Sequence, residues 1–424
     1  MKNGAGQSTV VSLTLLTLAA ASATFARTAL SPLQEAVRTS LALTDTQMAL
    51  IQGPALAAPV VLAAIPVGLL IDRCSRARLV FILVALAAAG SFWTAFASCL
   101  ADLFAARCVI GLAAAAMAMT VSSLLADLLP AASRGRGFMV VGVGQVAGIS
   151  AAFALGGSLL SIFGGDPAGW RATLEWLSVP VAVIALLTLN VREPPRAQVL
   201  IQKPSLKQAV RELLNYRRIV LPLLIGGAMV GIADVAATIW AIPALSRNLG
   251  LSPARLGATL ATAFLVSGII GPIVGGVMAD FCQRHGGPRL TITVITALVL
   301  LSVPAAIFAI VPNVVMSTLL LILLITVGTV IGVILTTLTT IVIPNELRGL
   351  CFGVFATSNV IFGVGLSPLL VSAVSDAWGG APMLGRALAT VCAATSLIGA
   401  ISLAFARAGF SKGAYFVPRT THET

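Results

Sequence analysis

The chain has 424 residues, 58% hydrophobic and 9% charged, with a formal net charge of +12 and a mean hydropathy of +1.04. A soluble domain carries roughly a quarter charged residues, so this composition excludes a soluble globular protein and specifies a polytopic membrane protein. The basic surplus follows from membrane topology, argued below, and no nucleic-acid partner is expected.

In chain order, apolar runs near or above the ~20-residue spanning length centre near Ala21, Val60, Ala88, Ala114, Ile149 and Ile184, and then near Ala233, Val266, Thr296, Thr326, Phe362 and Thr395. Each is far longer than a barrel strand, so twelve transmembrane helices are expected. The first run lacks a small-residue cleavage site and reads as a retained helix rather than a signal peptide. Placing the connections alternately on two sides puts 19 of the 26 basic residues on one side, the long segment from Arg192 to Arg218 included. The positive-inside rule then sets both termini in the cytoplasm of an inner membrane. Six scattered cysteines show no metal-type pairing and no disulfide framework.

The first helix carries an arginine in "LAAASATFARTALSPLQ", Arg27, about 9 Å beyond the helix centre at 1.5 Å per residue. Thr17, Thr24, Arg27, Thr28 and Ser31 share one helical face. The connection after the second helix reads "GLLIDRCSR", with Gly68, Asp72, Arg73 and Arg76. The fourth helix carries Arg107, at about the same depth as Arg27 on the outer side. An intramembrane arginine costs at least about 3 kcal/mol unless it faces water or a partner, so a cavity-facing position and snorkelling to the interface are the two options. The fifth helix adds Gln145 and many glycines, which suit close packing.

Residues 192–218 divide the chain into six spans (1–191) and six more (219–424). The seventh helix, "GGAMVGIADVAATIW", holds Asp234, the only acid near the centre of a span. Facing the cavity and being packed neutral between helices are both open to it. After the eighth helix, "GVMADFCQR" repeats G-x-x-x-D-x-x-x-R with Gly276, Asp280 and Arg284, 208 positions on. "PAASRG" and "PNELRG" repeat P-x-x-x-R-G, with Arg134 and Arg348 separated by 214. Two matched pairs at half-length offsets indicate parallel six-helix repeats with a path between them. Thr336 on the tenth helix and Asn359 on the eleventh are further polar candidates for its wall.

At this point the sequence resembles the major facilitator superfamily. "GLLIDRCSRAR" is similar to its loop signature, and "RCVIG" to its fourth-helix arginine motif. "LALTDTQMALIQG", "SLLADLLPAASRGRG" and "VREPPR" resemble the spinster branch, lipid and sphingolipid transporters. The resemblance implies that the first and fourth helices of each half line a central cavity. It also implies that Gly68, Asp72, Arg73, Arg76, Asp280 and Arg284 form a conformational latch. Spinster-type proteins carry an Asp before the first-helix arginine and a Glu seven residues after the fourth-helix one. Ala26 and Ala114 stand there, so both arginines remain without the family's acids.

The expected function is therefore secondary transport by alternating access, of an organic anion or anionic amphiphile held by Arg27, Arg107, Asp234, Gln145, Asn359 and Thr336. A proton-coupled exporter of neutral or cationic drugs using Asp234 stands as an alternative, and so does a non-transporting receptor with a transporter fold. No nucleophile set, nucleotide loop or metal cluster is present in the sequence, so no enzyme activity, cofactor or metal is expected. The partners expected are a small-molecule substrate and the bilayer, with the chain a monomer.

Overall fold

The computed structural model describes residues 2–130, 133–164, 166–194 and 206–411. Among them twelve helical spans are long and apolar enough to cross a membrane. The first half consists of α1 (Lys2–Thr28), α2 (Pro54–Arg73), α3 (Arg76–Phe96), α4 (Leu100–Leu128), α5 (Arg134–Phe163) and α6 (Gly169–Thr188). The second half has α7 (Arg217–Leu249), α8 (Pro253–His285), α9 (Gly287–Ala305) and α10 (Val314–Val342). α11 follows in three consecutive segments, Asn345–Ser358, a π-helical stretch Asn359–Leu366, and Ser367–Ala377; α12 is Leu384–Ser411. This is the all-α, twelve-span architecture expected from hydropathy. Residues 195–205 of the connection lie outside the described residues, and Leu206–Asn215 forms a short helix ahead of α7.

Local chemistry explains several boundaries. Thr44 and Gln47 form a reciprocal capping box that starts the short helix Asp45–Gln52. Gly53 breaks that helix, and Pro54 restarts the chain as the first residue of α2. Large apolar side chains such as Leu62, Ile162 and Phe405 are exposed, as lipid-facing positions should be when the solvent is hydrocarbon. The repeat is visible at atomic level. Arg134 Nε donates to the Leu129 carbonyl at 3.2 Å and Arg348 Nε to the Ile343 carbonyl at 3.0 Å. Each arginine closes the tight corner between an even and an odd helix of its half.

Within the halves, α1 packs on α5, and α7 on α12. Between them, α5 packs along α8, and α2 against the π-helical part of α11. The face carrying the start of α1 is here the near face, the opposite one the far face. Contacts joining the halves concentrate toward the far face. Phe153 on α5 stacks on Phe264 of α8, ring centroids 5.2 Å apart. Ser161 Oγ accepts from the Ala254 N–H at 3.0 Å, and Thr46 Oγ1 donates to Asp376 Oδ2 at 2.6 Å.

Candidate functional site

The central cavity, about 300 Å³, lies between the halves. Its chargeable lining residues are Arg27 and Arg107 from the first half and Asp234 from the second. Asn359, Gln52, Thr28, Ser31, Thr238 and Thr329 complete its polar wall. A second cavity of about 370 Å³ continues from Arg27 and Gln145 along Ala114, Ala118 and Gly142. A third, about 430 Å³, runs from Asn359 to Thr336, Phe352 and Phe355. Gly142 near the start of α5, and Thr336 and Phe352 at the near ends of α10 and α11, set the direction. The cavities descend from the arginines toward the near face.

Arg107 is 1% exposed. Its Nη2 donates to the backbone carbonyl of Arg27 at 2.7 Å and to Gln52 Oε1 at 2.9 Å. The two arginines thus meet at one level, and one reads the other's backbone. Gln52 Nε2 donates onward to Gln34 Oε1 at 3.3 Å and Ser31 Oγ at 3.4 Å. Arg107 Nε is buried with no partner, and no carboxylate pairs with either arginine among the described residues. A buried guanidinium without a counter-charge is costly, and a docked anion removes that cost. Ala26, in the place of the family's first acid, is 1% exposed, and Ala114, in the place of the second, lines the second cavity.

Asp234 is half-buried, and its Oδ1 has no hydrogen-bond partner. The carboxylate sits over Gly328 of α10, where a Cβ would come within 3.3 Å of Oδ1. Asn359 opens the π-helical stretch, and Gly231 admits it to the cavity: a Cβ there would lie 2.6 Å from Asn359 Nδ2. π segments favour functional sites because the extra residue in the turn re-aims side chains. Gln145 lines the second cavity, and its backbone carbonyl accepts from Thr24 Oγ1 at 3.1 Å. Thr336 lines the third cavity, but its hydroxyl donates to its own helix at Gly332 O, 2.7 Å away. Its place on α10 puts it along the third cavity and outside the lining of the central one.

The expected latch residues whose side chains are described do not meet as one set. The side chain of Asp72 lies outside the described residues. Arg73, Asp280 and Arg284 are exposed at the near face, and added Cβ atoms at Gly68 or Gly276 would meet nothing within 4 Å. Arg76 is engaged, but within its own half. It pairs with Asp127 at 2.5 Å and with Glu193 at 2.9 Å. Glu193 Oε2 also accepts from the Ala77 N–H at 2.8 Å and from Ser75 Oγ at 2.9 Å, so it caps α3 from across the sequence. Burial raises the Glu193 pKa, but the Ala77 N–H, Arg76 and Ser75 outweigh it and hold the carboxyl below its usual value.

The ion pairs that bridge the halves among the described residues lie at the far face. Arg247, in the last turn of α7, binds Asp45 in a fork at 2.7 and 2.8 Å and Glu35 at 2.8 Å. Arg38 braces Glu35 at 2.6 Å. Sequence reasoning missed this clasp because each member looks like an ordinary charge at the end of a span. It also missed Gln52, whose only signal was an amide close to an apolar run.

The sequence model of the Major Facilitator Superfamily matches residues 16–368. An "MFS-type efflux pump" of Mycolicibacterium smegmatis is 28% identical over 272 residues, 62% of this chain and 61% of that protein. A triacylglyceride transporter of the same organism is 34% identical over 139 residues, 32% of this chain and 24% of its own length. The chain thus spans less than two thirds of either relative. In fold it is similar to a bacterial homolog of the human lysosomal transporter Spinster, solved inward-facing and unoccupied. The TM-score is 0.79 at 18% identity, covering 95% of this chain and 96% of that one.

Proposed function

This chain belongs to the Major Facilitator Superfamily, a family of transporters rather than enzymes, and we propose that it is a secondary transporter working by alternating access on an organic anion. The acidic group docks between Arg27 and Arg107, Gln52 fixes the Arg107 guanidinium, and Asn359 contributes from the opposite half. The observation that carries this reading is Arg107, 1% exposed, with a buried unpartnered Nε and, among the described residues, no carboxylate paired with it. With the near face taken as cytoplasmic, as the basic residues favour, the structure corresponds to an inward-facing state closed at the far face. The latch reading of Asp72 and Asp280 belongs to the opposite state, in which the near face shuts. The working unit is a monomer in the cytoplasmic membrane, with each six-helix half moving as a body.

Uptake and counterflow in liposomes test the reading. Labelled organic anions are exchanged against unlabelled ones, with Arg107→Ala, Arg107→Lys and Arg27→Ala in parallel. Loss with alanine and partial retention with lysine is expected, because lysine keeps the charge but not the planar fork. Wild-type counterflow of an anion by the Arg27→Ala, Arg107→Ala double variant would exclude the site. Absence of counterflow with any ligand that binds would favour a receptor. A second reading, a proton-linked exporter, draws support from the unpartnered Asp234 Oδ1 and from the efflux relative. It requires that a pH gradient drive accumulation in wild type and fail to do so in Asp234→Asn with counterflow intact.

A further inference from the structure

The central cavity places groups able to carry charge of both signs on opposite walls, and this narrows the ligand. Arg27 and Arg107 stand on α1 and α4; Asp234 stands on α7, facing the same space of about 300 Å³. Arginine and carboxylate could have neutralised one another. Among the described residues neither arginine pairs with Asp234, and both walls keep a buried polar atom without a partner, Arg107 Nε and Asp234 Oδ1. A simple anion seated on the arginines would leave Asp234 bare and add a like charge across a small, weakly screened space.

We propose that the preferred ligand is a compact zwitterion, with an acidic group on Arg27 and Arg107 and a cationic nitrogen, a few bonds away, on Asp234. This rests on the anion reading and adds a second pole to it. Asn359 and Thr238, on the Asp234 side, supply neutral oxygens for the N–H groups that the carboxylate does not take. Such a ligand touches both halves at once, so it ties the two bodies together in the occupied state. The same head chemistry could come from a free solute or from the polar end of a single-chain amphiphile. The second and third cavities, rich in Ala, Val and Phe, adjoin the polar one.

The test is binding to the full chain in nanodiscs, using pairs matched in size that differ by one amine. 4-Aminobutyrate is set against pentanoate, and phosphoethanolamine against propyl phosphate. Dodecyl phosphoethanolamine is set against dodecyl propyl phosphate, the diester with a methyl in place of the ammonium, below micellar concentrations. Wild type should prefer the amine-bearing member of at least one pair by about tenfold, the size expected for one charge-assisted bond. In Asp234→Asn that preference should fall to about twofold or less, because the amine-bearing member loses its partner and the plain anion is relieved of a like charge across the cavity, and Asp234→Glu should restore part of it. Preference in the solute pairs assigns a free zwitterion; preference confined to the dodecyl pair assigns an amphiphile head. An equal, arginine-dependent affinity for both members in wild type, or a preference unmoved in a folded Asp234→Asn, overturns the zwitterion and leaves the anion reading standing. Binding of every pair that survives Arg27→Ala and Arg107→Ala overturns both.

Discussion

A buried arginine needs its geometry fixed, and Gln52 does this for Arg107. Its amide spends Oε1 on the guanidinium and Nε2 on Gln34 and Ser31. Gln52→Leu keeps the volume but removes the acceptor. Leaving a charged donor short of a partner costs about 1–3 kcal/mol, so anion affinity should fall roughly tenfold while the maximal exchange rate stays within about twofold; loss of rate without loss of affinity would argue against a positioning role. Glu193 has a different signature. Its carboxyl titrates below the unfolded value, so it contributes stability above the unfolded pKa of about 4.3 and loses it as pH falls through the lower folded value. Thermal melts in detergent should therefore fall below about pH 4 in wild type, and Glu193→Gln should be less stable at pH 7 with a flatter acid limb. A parallel acid limb in the variant would show that other groups govern it. The arginines and Asp234 were legible in the sequence because charge is rare in apolar runs. Gln52, Asp127 and Glu193 were not, since their meaning lies in partners 55, 51 and 117 residues away.

At the scale of elements, hydropathy located all twelve spans, because spanning length and apolarity are local properties of sequence. The π-helical stretch of α11 left no such trace: one extra residue per turn barely alters an apolar pattern such as "NVIFGVGL". The contact of α5 with α8 was half legible. Glycines marked the fifth helix as close-packing, but not its partner. In the structure Gly157 faces Gly257, and a Cβ on Gly257 would run into the Phe153 carbonyl and come within 2.9 Å of the Gly157 Cα. Both obstacles are backbone, so no rotamer change relieves them. Gly257→Val should cost about 1–3 kcal/mol of overpacking and part the far ends of α5 and α8. A longer, broader spin-label distance across those ends, with a lower melting temperature, is the expected result. An unchanged distance and melting temperature would mean that the crossing is looser than the structure gives.

At the scale of the whole molecule, the alternating access proposed above rocks two halves about a cavity, and the balance between its states is set by what joins them at each face. The clasp of Arg247 with Glu35 and Asp45 joins them at the far face, where Arg38 holds the two acids in place. The Asp45 side chain is 3% exposed and that of Arg247 19%, so solvent screens this contact less than a surface pair. The fork to Asp45, with a further branch to Glu35, is a geometry only a guanidinium supplies. Arg247→Gln should weaken far-face closure by about 2 kcal/mol, roughly thirtyfold in the ratio of far-closed to far-open molecules. Arg247→Lys should fall between the two, since it keeps charge without the fork. The acids would not be left bare, because Arg38 remains beside them, so the fold should survive and the effect should appear as a population shift. Spin labels at Ser40 and Arg386, both exposed at that face, read it directly. A long-distance population should grow in the order wild type, lysine, glutamine, and added salt should enlarge it in wild type. If the three distributions coincide, helix packing alone closes the far face, and the clasp is a bystander to the transport cycle.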